Sequence, residues 1–186
     1  MKFNKINKWI FTVDDFMSAE ECEECEEWIS FSENQGYEIA KINAGFDGQQ
    51  VNTSVRNNER VIYDSVEFAE KLWQRVKDFV PPEADYKKAY GLNERFRFYR
   101  YSQSQRFRLH KDASFFRDFE EWSCYTFMVY LNENFEGGET KFPPDCTVES
   151  TTGKALIFKH ELLHEGCPVI EGLKYVLRTD VMYKRQ

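Results

Sequence analysis

A two-residue repeat of apolar side chains restricts this chain to a small number of folds. Phe96 and Phe98 alternate with Arg97 and Tyr99, and the same alternation returns over residues 126–131 and 177–181. Successive side chains of a β-strand point to opposite faces, so the period predicts strands with one apolar and one polar face. The 17 Phe, 10 Tyr and 4 Trp suit sheets that pack face to face around large rings. The second half of the chain is therefore expected to be mostly β.

Two helices are predicted before these strands. Ser18 followed by Glu21, and Asp64 followed by Glu67, each match the capping box that begins many helices. The first helix is expected to end near Phe31. The second carries an apolar stripe at helical spacing, made of Ala69, Leu72, Trp73, Val76 and Val80.

Turn signals complete the predicted fold. Pro81-Pro82 stops the second helix, and Gly137-Gly138 is expected to form a hairpin turn. Two helices followed by many short strands predict a mostly β, α+β fold. We expect a jelly roll with N-terminal helices bracing one outer face of a sheet.

Length and charge limit the organisation and the partners of the protein. At 186 residues the chain fits a single domain, with helical support over about 1–90 and a metal-bearing jelly-roll core over about 91–186. A net charge of −7 and a pI near 5.2 argue against a nucleic-acid partner. No apolar run approaches the ~18 residues of a membrane span, and no signal-peptide core follows the N-terminus. We therefore expect a cytoplasmic protein with no membrane partner.

His110 and Asp112 have the spacing of two metal ligands. On an extended backbone, residues two apart leave the same face of a strand and can bind one ion. A third ligand must come from elsewhere in the chain, where His160 and His164 both offer an imidazole. Two histidines and one carboxylate leave coordination positions open for substrate and oxygen, as in non-haem Fe(II) oxygenases. Open positions indicate catalysis, because structural metal sites are closed.

The sequence around these ligands resembles the prolyl 4-hydroxylase-like branch of the 2-oxoglutarate- and Fe(II)-dependent dioxygenases. The resemblance covers about residues 90–183 in five ordered blocks, which are 93–101, 107–112, 130–132, 136–140, and 164–166 followed by 172–178. It implies a double-stranded β-helix, which is a jelly roll. It also implies an enzyme that uses O2 to hydroxylate a C–H bond and releases succinate and CO2.

The resemblance assigns roles to individual residues. It implies that His110, Asp112 and His164 bind Fe(II), and that Lys174 pairs with the far carboxylate of 2-oxoglutarate. Arg178 is predicted on the same strand face and has a guanidinium suited to carboxylates, so it is the alternative anchor. Tyr101 is implied to hydrogen-bond the same carboxylate, and ascorbate is the expected reductant.

Residues 160–164 also match HExxH, the motif of zinc proteases. That chemistry needs a helix, which places both histidines on one face. Here a strand-like run precedes the motif, and Gly166 and Pro168 follow it, so no helix of useful length fits. His160 is expected to be a bystander near the rim of the site, with a role as the iron ligand as the alternative. A non-catalytic jelly-roll binding module is a further alternative, whose hallmark would be the loss of a metal ligand.

Residues 42–60 predict a mobile loop or ribbon that governs substrate choice, because they are polar and contain glycine. Within this segment Val55-Arg56 resembles the substrate-loop motif of the family, with Asn57 and Asn58 where Thr-Ser is usual. Arg56 is predicted to bind substrate, and the alternative is that it pairs with a nearby Glu. The predicted substrate is a prolyl residue of a protein or peptide, with a free amino acid or small metabolite as the alternative.

Several arginines lie shortly before His110 in this otherwise acidic chain. One interpretation places them on an outer face, paired with Glu; the other predicts a basic mouth that attracts 2-oxoglutarate or an acidic substrate. The residues are Arg95, Arg97, Arg100, Arg106 and Arg108.

Overall fold

The computed structural model describes residues 1–18, 21–43 and 48–185. Within these residues the chain forms two helices and eighteen strands. In chain order they are β1 (Lys2–Lys5), β2 (Ile10–Asp14), α1 (Cys22–Gln35), β3 (Glu38–Ile39), β4 (Ile42–Asn43), β5 (Gln49–Gln50), β6 (Glu59–Asp64), α2 (Val66–Val76), β7 (Glu83–Ala84), β8 (Lys87–Leu92), β9 (Arg95–Tyr101), β10 (Phe107–His110), β11 (Glu121–Tyr130), β12 (Phe135–Gly137), β13 (Thr140–Phe142), β14 (Cys146–Val148), β15 (Ala155–Lys159), β16 (His164–Gly166), β17 (Val169–Gly172) and β18 (Lys174–Lys184).

Two antiparallel sheets form the body of the fold. The large sheet runs in the order β1-β2-β15-β11-β18-β9-β6-β3, and β8 and β7 extend it from β18. The small sheet has the order β10-β16-β13-β14 and packs on the large sheet through a cluster made of Ile10, Tyr130, Phe142, Val148, Leu156, Phe158 and Val176. The predicted mostly β jelly roll is confirmed.

The two helices cover the opposite face of the large sheet. Ala69, Leu72 and Val76 of α2 are buried in one cluster with Phe96 and other apolar residues of the central strands. The bracing helices predicted from the apolar stripe are therefore present. Neither described helix has the length and apolar character needed to cross a membrane.

The first helix begins close to the predicted capping box. The backbone N–H of Ser18 donates to the Glu21 carboxylate at 2.8 Å, and the N–H of Glu21 lies 3.3 Å from the Ser18 hydroxyl. Ala19 and Glu20, inside the predicted box, lie outside the described residues. α1 then extends to Gln35, beyond the predicted end near Phe31.

The second helix begins one residue later than predicted. Ser65 is the N-cap, and its side chain accepts from the N–H of Phe68 at 3.1 Å. Asp64 does not cap the helix, because its carboxylate is paired with Arg95 on the neighbouring strand at 2.9 Å. Asp and Ser are both good N-cap residues, and the ion pair of Asp64 across the sheet leaves Ser65 to cap the helix.

The large sheet continues across the predicted division of the chain near residue 90. β6 pairs with β9 from Glu59 opposite Arg100 to Asp64 opposite Arg95, and β1 and β2 extend the other edge. The first 90 residues therefore contribute strands as well as helical support. The division into a support and a core, and the single domain, stay predictions.

Gly137 and Gly138 form a turn but not a hairpin, which corrects the sequence interpretation. Both have positive φ, +75° and +70°, the region that glycine adopts without strain. The strands on either side pair elsewhere, β12 with β17 and β13 with β14 and β16. The turn therefore moves the chain from a two-stranded ribbon into the small sheet.

Candidate active site

The three predicted iron ligands converge at the edge of the small sheet. His110 ends β10, His164 begins β16, and the two residues lie opposite each other in this strand pair. Asp112 follows by two residues, and its backbone N–H donates to the carbonyl of His160 at 3.1 Å. One ligand atom from each of His110, Asp112 and His164 lies within 4.8 Å of the others. We call these three residues the metal cluster.

Backbone carbonyls orient both imidazoles. Nδ1 of His110 lies 2.7 Å from the carbonyl oxygen of Arg108, and Nδ1 of His164 lies 3.0 Å from that of Leu162. A carbonyl oxygen only accepts, so in each ring Nδ1 carries the proton and Nε2 keeps a lone pair for a metal. Burial lowers the pKa of His164 to about 4, which keeps this imidazole neutral at physiological pH.

Asp112 is held by two groups on the large sheet. The Thr126 hydroxyl donates to Oδ2 of Asp112, and Nη2 of Arg178 lies 3.2 Å from the same oxygen. Burial alone would raise the pKa of Asp112, but the charge of Arg178 and the adjacent imidazoles outweigh burial and hold this pKa well below its usual value. The carboxylate is therefore ionised and fixed in orientation.

His160 lies behind the metal cluster and not at the rim, so the predicted rim position is wrong. The residue is only 3% exposed, because the turn that it begins connects β15 of the large sheet with β16 of the small one. Its Nδ1 lies 3.1 Å from the Thr126 hydroxyl and its Nε2 lies 2.9 Å from the Ser123 hydroxyl. Since the proton of Thr126 goes to Asp112, Nδ1 of His160 donates to Thr126. His160 supports the carboxylate ligand through this hydroxyl.

The same turn excludes the geometry of a zinc protease. Residues 160–163 are not helical, so His160 and His164 do not share a helix face. His164 meets His110 and Asp112 at the metal cluster, whereas both ring nitrogens of His160 are engaged by hydroxyl groups.

Lys174 lies in a small pocket that also reaches the metal cluster. We call this cavity of about 60 Å³ the inner pocket; its lining includes Tyr101, Met128, Thr140, Phe158, Lys174 and Val176. Lys174 is 3% exposed, its ammonium donates to the carbonyl of Gly138, and in the described part of the chain it has no ion pair. Burial lowers the pKa of Lys174 to about 8. A carboxylate in the inner pocket would supply the missing counter-charge.

Three neighbours shape the surroundings of this ammonium. The rings of Tyr101 and Tyr130 lie 5.6 Å and 5.1 Å from Nζ of Lys174, within the range of cation–π attraction. Gly138 leaves room for the lysine stem, since a Cβ there would approach its Cδ to 3.2 Å. The structure thus brings Tyr101 to Lys174 as the resemblance implied, and its hydrogen bond to a cosubstrate stays a prediction.

Arg178 lies on the same face of β18 as Lys174, but it forms ion pairs with two carboxylates of the protein. Its Nη2 lies 2.9 Å from Oδ1 of Asp180 and 3.2 Å from Oδ2 of Asp112. A guanidinium already shared by two buried carboxylates is a poor site for a third. The arrangement favours Lys174 as the anchor for 2-oxoglutarate, an assignment that stays a prediction.

A second cavity opens beside the metal cluster. We call this space of about 340 Å³ the outer cavity. It shares with the inner pocket the residues Tyr99, Phe107, His110, Asp112 and Arg178. A ligand in either cavity can therefore approach the cluster.

Arg56 lines the outer cavity. It is 5% exposed, its Nε donates to Oδ1 of Asn58 at 2.7 Å, and its Cζ lies 4.3 Å from the ring centroids of both Tyr99 and Phe107. The alternative pairing with Glu is not observed among the described residues. In the predicted mobile segment 42–60, β4 and β5 form a short pair, and residues 44–47 lie outside the described residues. The substrate role of Arg56 stays a prediction.

The arginines before His110 divide between the two interpretations. Arg95 pairs with Asp64, and Arg100 pairs with Glu33 and Glu59, as outer-face charges would. Arg97 instead lines the outer cavity.

Sequence reasoning missed three residues that support the site, namely Ser123, Thr126 and Asp180. Each is a polar residue at a buried position of a largely apolar strand. Asp180 is 1% exposed, and a carboxylate this deep requires a charged partner. The sequence shows polar residues within apolar strands, but it does not show that Arg178 is the partner of Asp180.

Comparisons with known proteins agree with this geometry. The sequence model of the 2OG-Fe(II) oxygenase superfamily matches residues 96–179. Prolyl 4-hydroxylase 1 of Arabidopsis thaliana is 25% identical over 89% of the chain, and the chain spans 66% of the length of that relative. The viral collagen prolyl hydroxylase of Paramecium Bursaria Chlorella virus-1, in its 2OG complex, superposes with a TM-score of 0.70 at 23% identity, over 95% of this chain and 97% of the other. A Trichoplax adhaerens prolyl hydroxylase in complex with a hypoxia inducible factor peptide fragment gives 0.72 at 14% identity, over 92% and 82%.

The metal cluster of this jelly roll is a two-histidine, one-carboxylate set, the ligand type of non-haem Fe(II) sites. The donor set fits Fe(II), because two imidazoles and one carboxylate leave coordination positions open beside two cavities. Over residues 96–179 the chain is similar to the 2OG-Fe(II) oxygenase superfamily, whose members use Fe(II), 2-oxoglutarate and O2.

Proposed function

We propose that this chain is an Fe(II)- and 2-oxoglutarate-dependent dioxygenase that hydroxylates a prolyl residue of a protein or peptide. One observation carries the proposal: the inner pocket connects the metal cluster to the buried ammonium of Lys174. 2-Oxoglutarate has a chelating oxo-acid at one end and a carboxylate at the other, so its two ends match those of the pocket. The similarity to proteins named prolyl hydroxylases supports the prolyl substrate.

In this proposal His110, Asp112 and His164 would hold Fe(II), and ascorbate would keep the metal reduced. When bound, Fe(II) supplies the redox chemistry that divides O2 between the substrate, which gains a hydroxyl, and 2-oxoglutarate, which leaves as succinate and CO2.

The protein contributes position and exclusion of water. Lys174 would hold the distal carboxylate of 2-oxoglutarate, and Arg178 keeps the Asp112 carboxylate ionised and oriented. Met128, Phe158 and Val176 form apolar walls of the inner pocket. Such walls strengthen the charge-assisted contacts inside the pocket.

A free amino acid or small metabolite is the second candidate substrate. The observation that favours it is the charge of the outer cavity, which contains more cationic than acidic side chains. A small anionic molecule would gain more from such a cavity than a neutral prolyl peptide would.

The test is a turnover assay on the full chain loaded with Fe(II) under anaerobic conditions. Prolyl peptides and a panel of amino acids and metabolites are supplied with 2-oxoglutarate and O2, and succinate and the gain of one oxygen atom are measured by mass spectrometry. We expect a prolyl peptide to be hydroxylated with matching release of succinate, and Asp112→Ala to abolish both. Hydroxylation of metabolites alone would favour the second candidate. No succinate with any compound would favour the non-catalytic binding module.

A further inference from the structure

The outer cavity concentrates positive charge in an acidic chain. Its lining has six cationic side chains and two carboxylates, whereas the whole chain has a net charge of −7. The cationic residues are Lys41, Arg56, Arg60, Arg97, Lys111 and Arg178. Composition therefore does not account for the cavity, whose potential attracts anions.

Two of these cations have carboxylate partners at 3.2 Å or less. Arg60 lies 3.2 Å from the carboxylate of Glu38 and donates to Gln49 at 2.9 Å. Arg178 lies between Asp112 and Asp180.

Arg56 and Arg97 are not satisfied in the same way. Nη2 of Arg56 and Nη1 of Arg97 are buried and have no hydrogen-bond partner among the described residues. Arg97 has one ion pair, a long one of 3.6 Å between its Nη1 and Oδ2 of Asp180, while Arg178 lies 2.9 Å from the other oxygen of that carboxylate. Burial and the positive charge of Arg178 lower the pKa of Arg97, which an incoming anion would reverse. Buried N–H groups of cations normally have partners, and an anionic ligand in the cavity would supply the acceptor that these two groups lack.

The side chain of Arg56 is fixed in place by contacts within the protein. Its Nε donates to Asn58, which is itself fully buried, and its Cζ lies 4.3 Å from the ring centroids of Tyr99 and Phe107. Asn57 accepts from the backbone N–H of Arg106 at 2.8 Å, which fastens the segment to the chain before His110. A guanidinium fixed before binding loses little entropy when a ligand arrives.

We propose that Arg56 and Arg97 form a carboxylate-binding site in the outer cavity, so that the substrate carries a carboxylate close to the carbon that is hydroxylated. This inference deepens the proposed prolyl hydroxylase function and rests on it. The guanidinium fork matches the two oxygens of a carboxylate. Such a group has three sources in a prolyl compound: an acidic residue beside the proline, the C-terminus of a terminal proline, or free proline itself.

Binding of defined compounds tests this site separately from turnover. The full chain, loaded with Fe(II) and 2-oxoglutarate without O2, is titrated in a calorimeter with a blocked neutral prolyl peptide and with three carboxylates. These are the same peptide with Asp before the proline, a peptide with a free C-terminal proline, and L-proline. We expect at least one carboxylate to bind at least about tenfold more tightly than the neutral peptide, as a charge-assisted contact would give.

Three variants test whether Arg56 and Arg97 cause the preference for a carboxylate over the neutral peptide. Arg56→Gln and Arg97→Gln should each reduce it severalfold or more, and Arg56→Lys should retain part of it. Arg95→Gln is the matched control, because Arg95 lies on β9 two residues before Arg97 but is exposed, pairs with Asp64 and does not line either cavity. An unchanged affinity for 2-oxoglutarate in each variant shows that the inner pocket is intact.

The outcomes separate this proposal from the proposed function. Equal affinity for neutral and carboxylate compounds, or no binding by any of them, overturns the carboxylate site. A preference that survives in both Arg56→Gln and Arg97→Gln also overturns it. Tight carboxylate binding with no hydroxylation once O2 is admitted supports the site and overturns the prolyl assignment alone.

Discussion

The inner pocket and the outer cavity meet at the metal cluster but differ in how they hold charge. Beyond their shared wall, Lys174 is the one charged side chain among the described residues that line the inner pocket, and tyrosine rings surround it. The outer cavity is larger and has several cations, some paired and some not. The inner pocket therefore suits one small ligand with a single distal carboxylate. The outer cavity suits a ligand of variable size. This contrast is the one expected between the site of a cosubstrate and the site of a substrate.

Lys174 and Arg178 show the same contrast on one strand. They lie on one face of β18, yet Lys174 has no carboxylate partner among the described residues while Arg178 contacts Asp112 and Asp180. A cation is available to a ligand only when the protein has not already neutralised it. Burial of the unpaired charge is thus the sign of a ligand site.

Loss of the shared metal cluster should have the largest effect, because it serves both cavities. We expect His164→Ala to lower metal affinity and coupled turnover by more than about 100-fold, since changes behind the ligands alone typically cost 10- to 100-fold. Anaerobic titration with Fe(II), or with Mn(II) as a substitute, measures the affinity. The control is His160→Gln, which keeps polar atoms near Ser123 and Thr126. Retained metal binding in His164→Ala together with its loss in His160→Gln would show that the ligand is misassigned.

Removal of the inner cation should come next and should affect only one cavity. Lys174→Ala is expected to raise the apparent KM for 2-oxoglutarate at least about tenfold, because a charge-assisted contact contributes roughly 1.5 to 3 kcal/mol. Substrate affinity measured at saturating 2-oxoglutarate should change little. An unchanged KM in Lys174→Ala would remove the functional distinction between the two cavities.

The low pKa of Lys174 predicts a pH effect that is specific to the inner pocket. Burial lowers this pKa to about 8, so the ammonium is charged below that pH and becomes neutral above it. The Kd of 2-oxoglutarate should therefore rise above pH 8, by up to about tenfold per pH unit until the pKa of the bound state is reached. Lys174→Arg should flatten the profile, because arginine keeps its charge throughout. A wild-type Kd that stays constant up to about pH 9.5 would contradict a titrating anchor.

The smallest effect is expected at the shared wall. Arg178→Lys keeps the charge but loses the fork that contacts Asp112 and Asp180, so metal affinity should fall by several-fold up to about tenfold. The KM for 2-oxoglutarate, measured with saturating Fe(II), should stay within about twofold of wild type. If the variant instead raised this KM as much as Lys174→Ala does, the two cations would share the anchoring role.

Local patterns predicted the parts of the fold that depend on neighbours along the chain. The alternation at Phe96 and Phe98 identified β9 and its apolar face, and the stripe containing Leu72 identified the buried face of α2. β6 was missed, since part of it lay in the predicted polar ribbon and its pairing partner β9 begins far along the chain. Sequence alone left two interpretations of the polar face of β9, an outer surface or a basic mouth. At Arg97 this face lines a cavity, because the small sheet covers this side of the large sheet.

The active site also has some features that the sequence predicted and others that only the tertiary structure set. Spacing alone placed His110 and Asp112 on one ion, because two residues on one short segment meet whatever the rest of the chain does. The sequence by itself thus determined the period of the strands, the kind of metal ligands and the candidate anchors. Only the tertiary structure decided that His160 supports Asp112 from behind, that Asp180 occupies Arg178, and that Lys174 is left without a carboxylate partner among the described residues. Ion pairing and burial depend on distances between residues remote in sequence, and those distances are set only when the two sheets pack together.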